Sequence, residues 1–273
     1  MKIMGIIAGS GKFPILTAKG ARREGYRVVT GAILKEADPQ IEAVSDQCAW
    51  IKLGELKKLV SFFRKENVSQ AIMAGKIEKV SLFQGNVHPD FEMVKVLMKT
   101  HDFKDDSLLS AVANYLEKEG ITLLDSTLFL KDALPGSGVL GKKKPSKQVM
   151  EDIQFGFRIA KSMAGLDVGQ TVAVKKKAVL AVEAIEGTDL AIRRGGSLGG
   201  EKITVVKVAK PNQDMRFDVP AVGLGTMEEL MAAGAEAFAF EAGKTLILDQ
   251  EDFIARADRK GIALVGVNGE SKE

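Results

Sequence analysis

Apolar positions along this chain follow two rhythms that alternate. Lys2–Ala8, Tyr26–Leu34, Ala71–Ala74 and Ile121–Leu124 are short apolar runs, and they predict buried strands. Between them, Pro14–Glu24, Leu56–Glu66 and Leu108–Glu119 carry helical spacing; Leu56, Leu59, Val60 and Phe63 fall on one face. Pro14 suits a first helical turn and Gly25 suits a helix end. Strands alternating with helices favour a parallel sheet with right-handed crossovers.

The rhythm breaks from Lys131 to Lys147, where Leu134–Pro145 is dense in Gly, Pro and Lys. A linker is expected at 134–146, between a domain at 1–133 and a second at 147–273. The second domain reads as helix Lys147–Met163, strands Thr171–Val174 and Ala178–Ala184, helix Thr188–Arg194 and strand Ile203–Ala209. It continues as helix Thr226–Ala242, strand Thr245–Leu248, helix Gln250–Lys260 and strand Ala263–Val267. The expected fold class is α/β: two α/β domains, the N-terminal one Rossmann-like with a parallel sheet.

Composition narrows the chemistry. The 273 residues are 45% hydrophobic, enough for two cores, with a net charge of +3. The longest apolar runs, such as Lys177–Ala184, are far shorter than the roughly 20 residues that span a bilayer. Met1–Ala8 reads as a first strand rather than a leader, because Gly9-Ser10-Gly11 ends it early. The single cysteine, Cys48, excludes an intrachain disulfide and argues for a reducing compartment, and with only two histidines a Cys/His zinc site is not expected. A bound metal would be hard and oxygen-ligated, magnesium or manganese. The runs Lys142–Lys144 and Lys175–Lys177 are either solvated charge or attraction to anionic phosphate. Aromatics are 6% and do not interleave with them, so no nucleic-acid partner is expected.

Four segments carry candidate chemistry. Gly9 and Gly11, between the first strand and helix, could let backbone approach a phosphate, or merely form a tight turn. Lys76 follows a buried strand at the sheet end where ligands bind, and Asp105 and Asp106 open a helix. There, N-capping alone would explain the aspartates. Glu183-Ala-Ile-Glu186-Gly-Thr188-Asp189 fans carboxylates into a turn, with Arg193 and Arg194 beyond to fork phosphate oxygens. Alternatively Thr188 or Asp189 merely caps a helix and the arginines face solvent. Asp214–Asp218, if extended, places Asp214, Arg216 and Asp218 on one face. That row is either self-neutralising or a carboxylate pair about a cation.

Glu183-Ala-Ile-Glu186-Gly-Thr-Asp189 and Val208-Ala-Lys210-Pro-Asn-Gln213-Asp214-Met-Arg216-Phe-Asp218-Val-Pro220-Ala-Val-Gly223 resemble the LpxI family of UDP-2,3-diacylglucosamine pyrophosphatases. So do Ile7-Ala-Gly9-Ser-Gly11-Lys-Phe-Pro14 and Asp105-Asp106-Ser-Leu-Leu109, and the likeness runs over nearly the whole chain. The resemblance implies hydrolysis of UDP-2,3-diacylglucosamine to UMP and 2,3-diacylglucosamine 1-phosphate (lipid X), a lipid A step requiring Mg2+ or Mn2+. It implies a cytoplasmic protein, peripheral at the inner-membrane face, in transient contact with that surface; a homodimer is kept as a candidate assembly. It carries the essential role to Asp218, with Asp214 and Arg216 beside it. Gly9, Gly11, Lys76, Asp105, Asp106, Thr188, Arg194, Lys210 and Gln213 are then expected to bind substrate, and Asp218, Glu186 and Asp189 to hold metal. The competing reading is a non-catalytic nucleotide- or lipid-binding protein of the same fold.

Overall fold

A computed structural model describes residues 2–77, 89–98, 105–217 and 219–269; the side chains of Asp105 and Asp106 fall outside the description. The chain divides into two compact units, Met1–Lys131 with Asp214–Asp218, and Asp132–Gln213 with Val219–Glu273. The short segment around Asp214 thus belongs to the first unit, although the sequence places it amid the second.

The first unit is built on strands β1 (Ile3–Ala8), β2 (Arg27–Ile33), β3 (Gln47–Ile51), β4 (Gln70–Ala74) and β5 (Thr122–Leu123). They form a sheet of order β3-β2-β1-β4-β5. Every pairing in it is parallel. Chain order reverses between β1 and β4, so the loops leaving those two strands meet at one sheet edge. Helices α1 (Phe13–Arg23), α2 (Leu56–Lys65), α3 (Phe91–Leu97) and α4 (Asp105–Lys118) connect the strands. The spacing expected for α2 holds: Leu56, Leu59, Val60 and Phe63 are all buried. They pack with Val29, Val68, Ala71, Leu116 and Ile121. Strand β3 has no counterpart in the sequence reading, because Gln47, Cys48, Ala49 and Trp50 are not fully buried and show no clean alternation.

The second unit is a sheet of order β6-β13-β11-β9-β7-β8. Its strands are β6 (Gly138–Leu140), β7 (Thr171–Lys175), β8 (Ala178–Val182), β9 (Ile203–Lys207), β11 (Ala235–Glu241) and β13 (Ala263–Val267). The β9, β11 and β13 trio is parallel, flanked by antiparallel β6 and β7. Short β10 (Ala221–Val222) and β12 (Leu246–Ile247) pair separately. The helices are α5 (Lys147–Gly165), α6 (Thr188–Gly199), α7 (Leu224–Ala232) and α8 (Gln250–Lys260). Ile153, Phe157 and Ala160 of α5 pack with Val172, Val206, Ala237 and Ala239. Ile192, Met227, Leu230 and Phe253, from the other three helices, pack with Val205, Phe238 and Phe240. The sheet is therefore covered on both faces.

Two expectations are corrected. The helix expected over Thr226–Ala242 stops at Ala232, and Ala235–Glu241 is a strand. Gly234 takes φ +64°, ending the helix, and both faces of β11 are buried, which removes the polar alternation that marks a half-exposed strand. Within the stretch expected as a linker, Gly138–Leu140 pairs with β13, the Lys142 N–H donates to Asp258 Oδ1 at 2.7 Å, and the Gly243 N–H donates to the Pro135 carbonyl at 2.9 Å.

One lysine run has a local structural cause. Lys176 and Lys177 form the two-residue turn between β7 and β8, with φ of 50° and 58°. Buried Asp152 on α5 accepts both of their N–H groups at 2.8 Å, on Oδ2 and Oδ1, which holds two non-glycine residues in the left-handed region.

Candidate functional site

In the first unit the loops after β1 and β4 lie backbone to backbone. The Ser10 N–H and Oγ both donate to the Lys76 carbonyl at 2.7 Å, and the Lys76 N–H returns a bond to the Ser10 carbonyl at 3.2 Å. A Cβ on Gly9 would sit 2.6 Å from the Lys76 oxygen, and one on Gly75 would sit 2.6 Å from the Ser10 oxygen. Gly9 is therefore required by loop packing, whatever else it meets. Gly11, at φ +86°, has open space where a side chain would stand, and Lys76 is exposed. The α1 N-terminus has no side-chain cap. Asp105 and Asp106 begin α4, and their carboxylates lie outside the described side chains.

The Asp214 segment enters the same unit beyond β4 and β5. The Ser126 N–H donates to the Met215 carbonyl at 2.7 Å. Its hydroxyl lies 2.6 Å from the Met73 carbonyl and 2.7 Å from the Arg216 carbonyl, which share its proton. Phe217, 2% exposed, is part of the first unit's core. The extended row expected from period two is not what forms. Asp214 makes a turn: Oδ1 accepts the Arg216 N–H at 3.0 Å, and its carbonyl accepts the Phe217 N–H at 3.2 Å. The turn still brings Asp214 and Arg216 together, with Arg216 Nε 3.0 and 3.1 Å from the two carboxylate oxygens and an Nη at 2.7 Å. That guanidinium holds the Asp214 carboxyl below the ordinary aspartate range. Asp218 lies outside the described residues.

In the second unit the polar residues gather where parallel β9 and β11 end. Lys207 closes β9 with its side chain 6% exposed, and its Nζ is 3.8 Å from Glu183 Oε2. Nζ donates to Thr188 Oγ1 at 2.7 Å and to Thr171 Oγ1 at 3.3 Å. The Thr188 hydroxyl donates to Glu183 Oε1 at 2.9 Å. Burial works to raise the Glu183 carboxyl, but Lys207, the hydroxyls of Thr171 and Thr188 and the Gln170 N–H together hold it below the ordinary value. Beside this group, Glu241 at the end of β11 is 1% exposed and takes Lys161 Nζ at 3.0 Å and the Ala209 N–H at 2.9 Å. Lys210 Nζ pairs with Asp167 at 2.8 Å, and Gln213 Oε1 accepts the Lys210 N–H at 3.0 Å.

Of the expected metal set, Glu186 and Asp189 are described, and each engages another side chain. Glu186 Oε1 receives Arg194 at 2.6 Å, and its Oε2 takes the Ala184 N–H at 3.2 Å. Asp189 Oδ1 accepts the Thr226 hydroxyl at 2.8 Å. Among the described residues no group of three His, Cys, Asp or Glu is placed to hold a metal ion. Arg194 also donates to the Val182 carbonyl at 2.6 Å, so its guanidinium fastens the turn before α6.

Comparison with known proteins decides the family. The LpxI N-terminal domain model matches residues 3–133, and the LpxI C-terminal domain model matches residues 136–265. This chain belongs to the LpxI family. A relative in Caulobacter vibrioides, UDP-2,3-diacylglucosamine pyrophosphatase LpxI, is 30% identical over 283 residues, covering 100% of both chains. Among solved structures, phosphoribosylglycinamide synthetase from Anaerococcus prevotii matches 66% of this chain and 38% of its own, with 10% identity and a TM-score of 0.29. N5-carboxyaminoimidazole synthetase from Staphylococcus aureus matches 64% and 38%, with 17% identity and a TM-score of 0.26. The LpxI chain thus spans well under half of either synthetase. Among its described residues, no helix is long and apolar enough to cross a membrane.

The structure adds residues that sequence reasoning did not assign. Lys161, Asp167, Thr171, Lys207 and Glu241 are partnered polar groups at the strand ends of this LpxI chain. Their one visible signal was a lysine ending the apolar run Ile203–Lys207. A buried lysine needs a buried partner, and Glu183 is that partner.

Proposed function

We propose that the protein hydrolyses the pyrophosphate of UDP-2,3-diacylglucosamine, releasing UMP and 2,3-diacylglucosamine 1-phosphate. The observation that carries this reading is the full-length match to a relative bearing that activity in its name. Pyrophosphate cleavage needs positive charge on the phosphoryl oxygens and a carboxylate to manage water. Arg216 supplies a half-exposed guanidinium, oriented by Asp214. Asp218, two residues on, is the carboxylate that the resemblance offers for water.

Magnesium or manganese dependence is part of the proposal, with Asp218 as the carboxylate toward the cation. Glu186 and Asp189 are not assigned to it, because Arg194 and Thr226 already engage them. The parallel first unit is proposed to act in the Rossmann manner, taking the nucleotide at the edge where Gly11 and Lys76 lie. Because the substrate carries two acyl chains, the protein is placed at the cytoplasmic membrane surface, where it meets the lipid. The test is release of UMP from UDP-2,3-diacylglucosamine by purified protein, with and without EDTA. Chelator-sensitive release is expected; binding without release would favour a non-catalytic lipid- or nucleotide-binding protein.

A further inference from the structure

Helix α3 of the first unit is apolar on two opposite sides. Met93 and Val96 face the core and are buried. Phe91, Val94 and Met98, spaced i, i+3 and i+7, line the other side and are exposed, Phe91 by 72% and Met98 by 81%. Single apolar residues are ordinary on a protein surface, but a helix that is apolar all round is normally sheltered all round. The start of α3 is tied to the start of α2. Asp90 Oδ1 accepts the Met93 N–H at 2.9 Å, and its Oδ2 accepts the Lys57 N–H at 2.7 Å.

The neighbouring charge indicates what covers the exposed stripe. Helix α2 buries Leu56, Leu59, Val60 and Phe63, and its remaining positions carry Lys57, Lys58, Arg64 and Lys65 with no acid. Lys58 pairs with Glu55 at 3.2 Å and Arg64 with Glu119 at 2.8 Å. On α3, Glu92 pairs with Lys95 at 2.9 Å. Lys57 and Lys65 are exposed and have no acid partner among the described residues. Lys95 Nζ also stands 4.3 Å from the Phe91 ring centre, a long side chain laid along apolar surface. Excess positive charge beside an exposed apolar stripe complements a bilayer with anionic headgroups. There the lysines meet lipid phosphates while Phe91 and Met98 enter the acyl boundary. A second copy docked through the same stripe about a two-fold axis would turn one basic α2 toward the other, like charge toward like.

We propose that the exposed side of α3, with the basic side of α2, is the surface by which the first unit docks on an anionic lipid bilayer. This deepens the membrane placement proposed above and rests on it for its purpose, delivery of a lipid substrate. The stripe supplies insertion and the lysines supply attraction that salt screens.

The test is co-sedimentation of the full-length protein with vesicles, beside turnover of UDP-2,3-diacylglucosamine dispersed in neutral detergent. Wild type should bind vesicles of equal parts phosphatidylcholine and phosphatidylglycerol, and bind phosphatidylcholine alone more weakly. Lys57→Gln with Lys65→Gln should weaken binding to the mixed vesicles about tenfold or more, and high salt should erase that difference. Phe91→Ser with Met98→Ser should weaken it by about the same factor at any salt. All four positions are exposed, so both variants should melt near the wild-type temperature and keep detergent turnover within about threefold. Should the apolar pair fail to fold, the lysine pair decides alone. Unchanged vesicle binding in the variants overturns the proposal. Turnover by wild type without any vesicle binding overturns it and leaves the hydrolase reading intact, whereas vesicle binding at this surface without turnover overturns the hydrolase reading alone. Detergent turnover lost in Phe91→Ser with Met98→Ser while vesicle binding persists would assign the stripe to the substrate's acyl chains. A wild-type dimer that the same substitutions make monomeric would assign it to a second copy. Either result overturns the proposal.

Discussion

Ser126 and Arg216 are 90 positions apart, yet the buried Ser126 hydroxyl lies 2.7 Å from the Arg216 carbonyl. Together with the Ser126 N–H on Met215, this contact seats the Asp214 segment in the first unit. Ser126→Ala removes the donor that the Met73 and Arg216 carbonyls share. The expected loss is about 1–3 kcal/mol of stability, the cost of leaving buried acceptors unpaired. Hydrolysis should fall in variant protein shown to be folded. A chemical-denaturation midpoint and a kcat both equal to wild type would sink this reading.

The Asp214–Arg216 pair is half exposed, so its effect on stability is small, within about 1 kcal/mol. Asp214→Asn should therefore melt near the wild-type temperature. Its kcat/KM should nevertheless fall about tenfold or more, because Arg216 loses the partner that aims it. An unchanged kcat/KM would mean that the pair is only surface charge.

Glu183 gives a pH test. The Glu183 carboxyl is held below its ordinary value of 4.5, so its interactions contribute stability at pH values above 4.5. That contribution is lost as pH falls through the depressed folded value. Thermal melting from pH 3 to 7 should show a steeper acid limb for wild type than for Lys207→Met with Glu183→Gln. Parallel limbs would show that Glu183 is not responsible.

Gly9→Ala separates packing from ligand contact in the first loop. Its Cβ would press on backbone, the Lys76 carbonyl at 2.6 Å, which cannot swing aside as a flexible side chain would. The expected loss is about 1–3 kcal/mol with no ligand present. If the apo variant is as stable as wild type, the loop is looser than this geometry requires.

Periodicity made the parallel first unit legible, because α2 and the central strands bury what their spacing presents. It failed at β11, where Ala235–Glu241 is buried on both faces, so strand alternation is absent and nothing in the apolar pattern marks an end to the helical spacing of Met227 and Leu230. The site was legible by residue type rather than by partner. Glu186, Asp189 and Arg194 stood out as charges near a turn, yet hydrogen bonds to one another, to Thr226 and to the Val182 carbonyl engage them. Lys207 and Glu183, 24 positions apart, become a pair only once β9 lies at the sheet centre with β7 and then β8 beside it. Asp214 and Arg216 were expected together on a strand and are together through a turn.

The central claim is chemical, and the most direct measurement is single-turnover release of UMP from UDP-2,3-diacylglucosamine by wild-type protein and by Asp218→Ala, shown to be folded by circular dichroism. Wild type should release UMP in a reaction that EDTA stops and magnesium or manganese restores. Asp218→Ala should be slower by about 100-fold or more, the scale of losing a positioned acid–base group. UMP release by Asp218→Ala within a few-fold of wild type would remove Asp218 from the mechanism, and no release by wild type in the presence of magnesium would contradict the account as a whole.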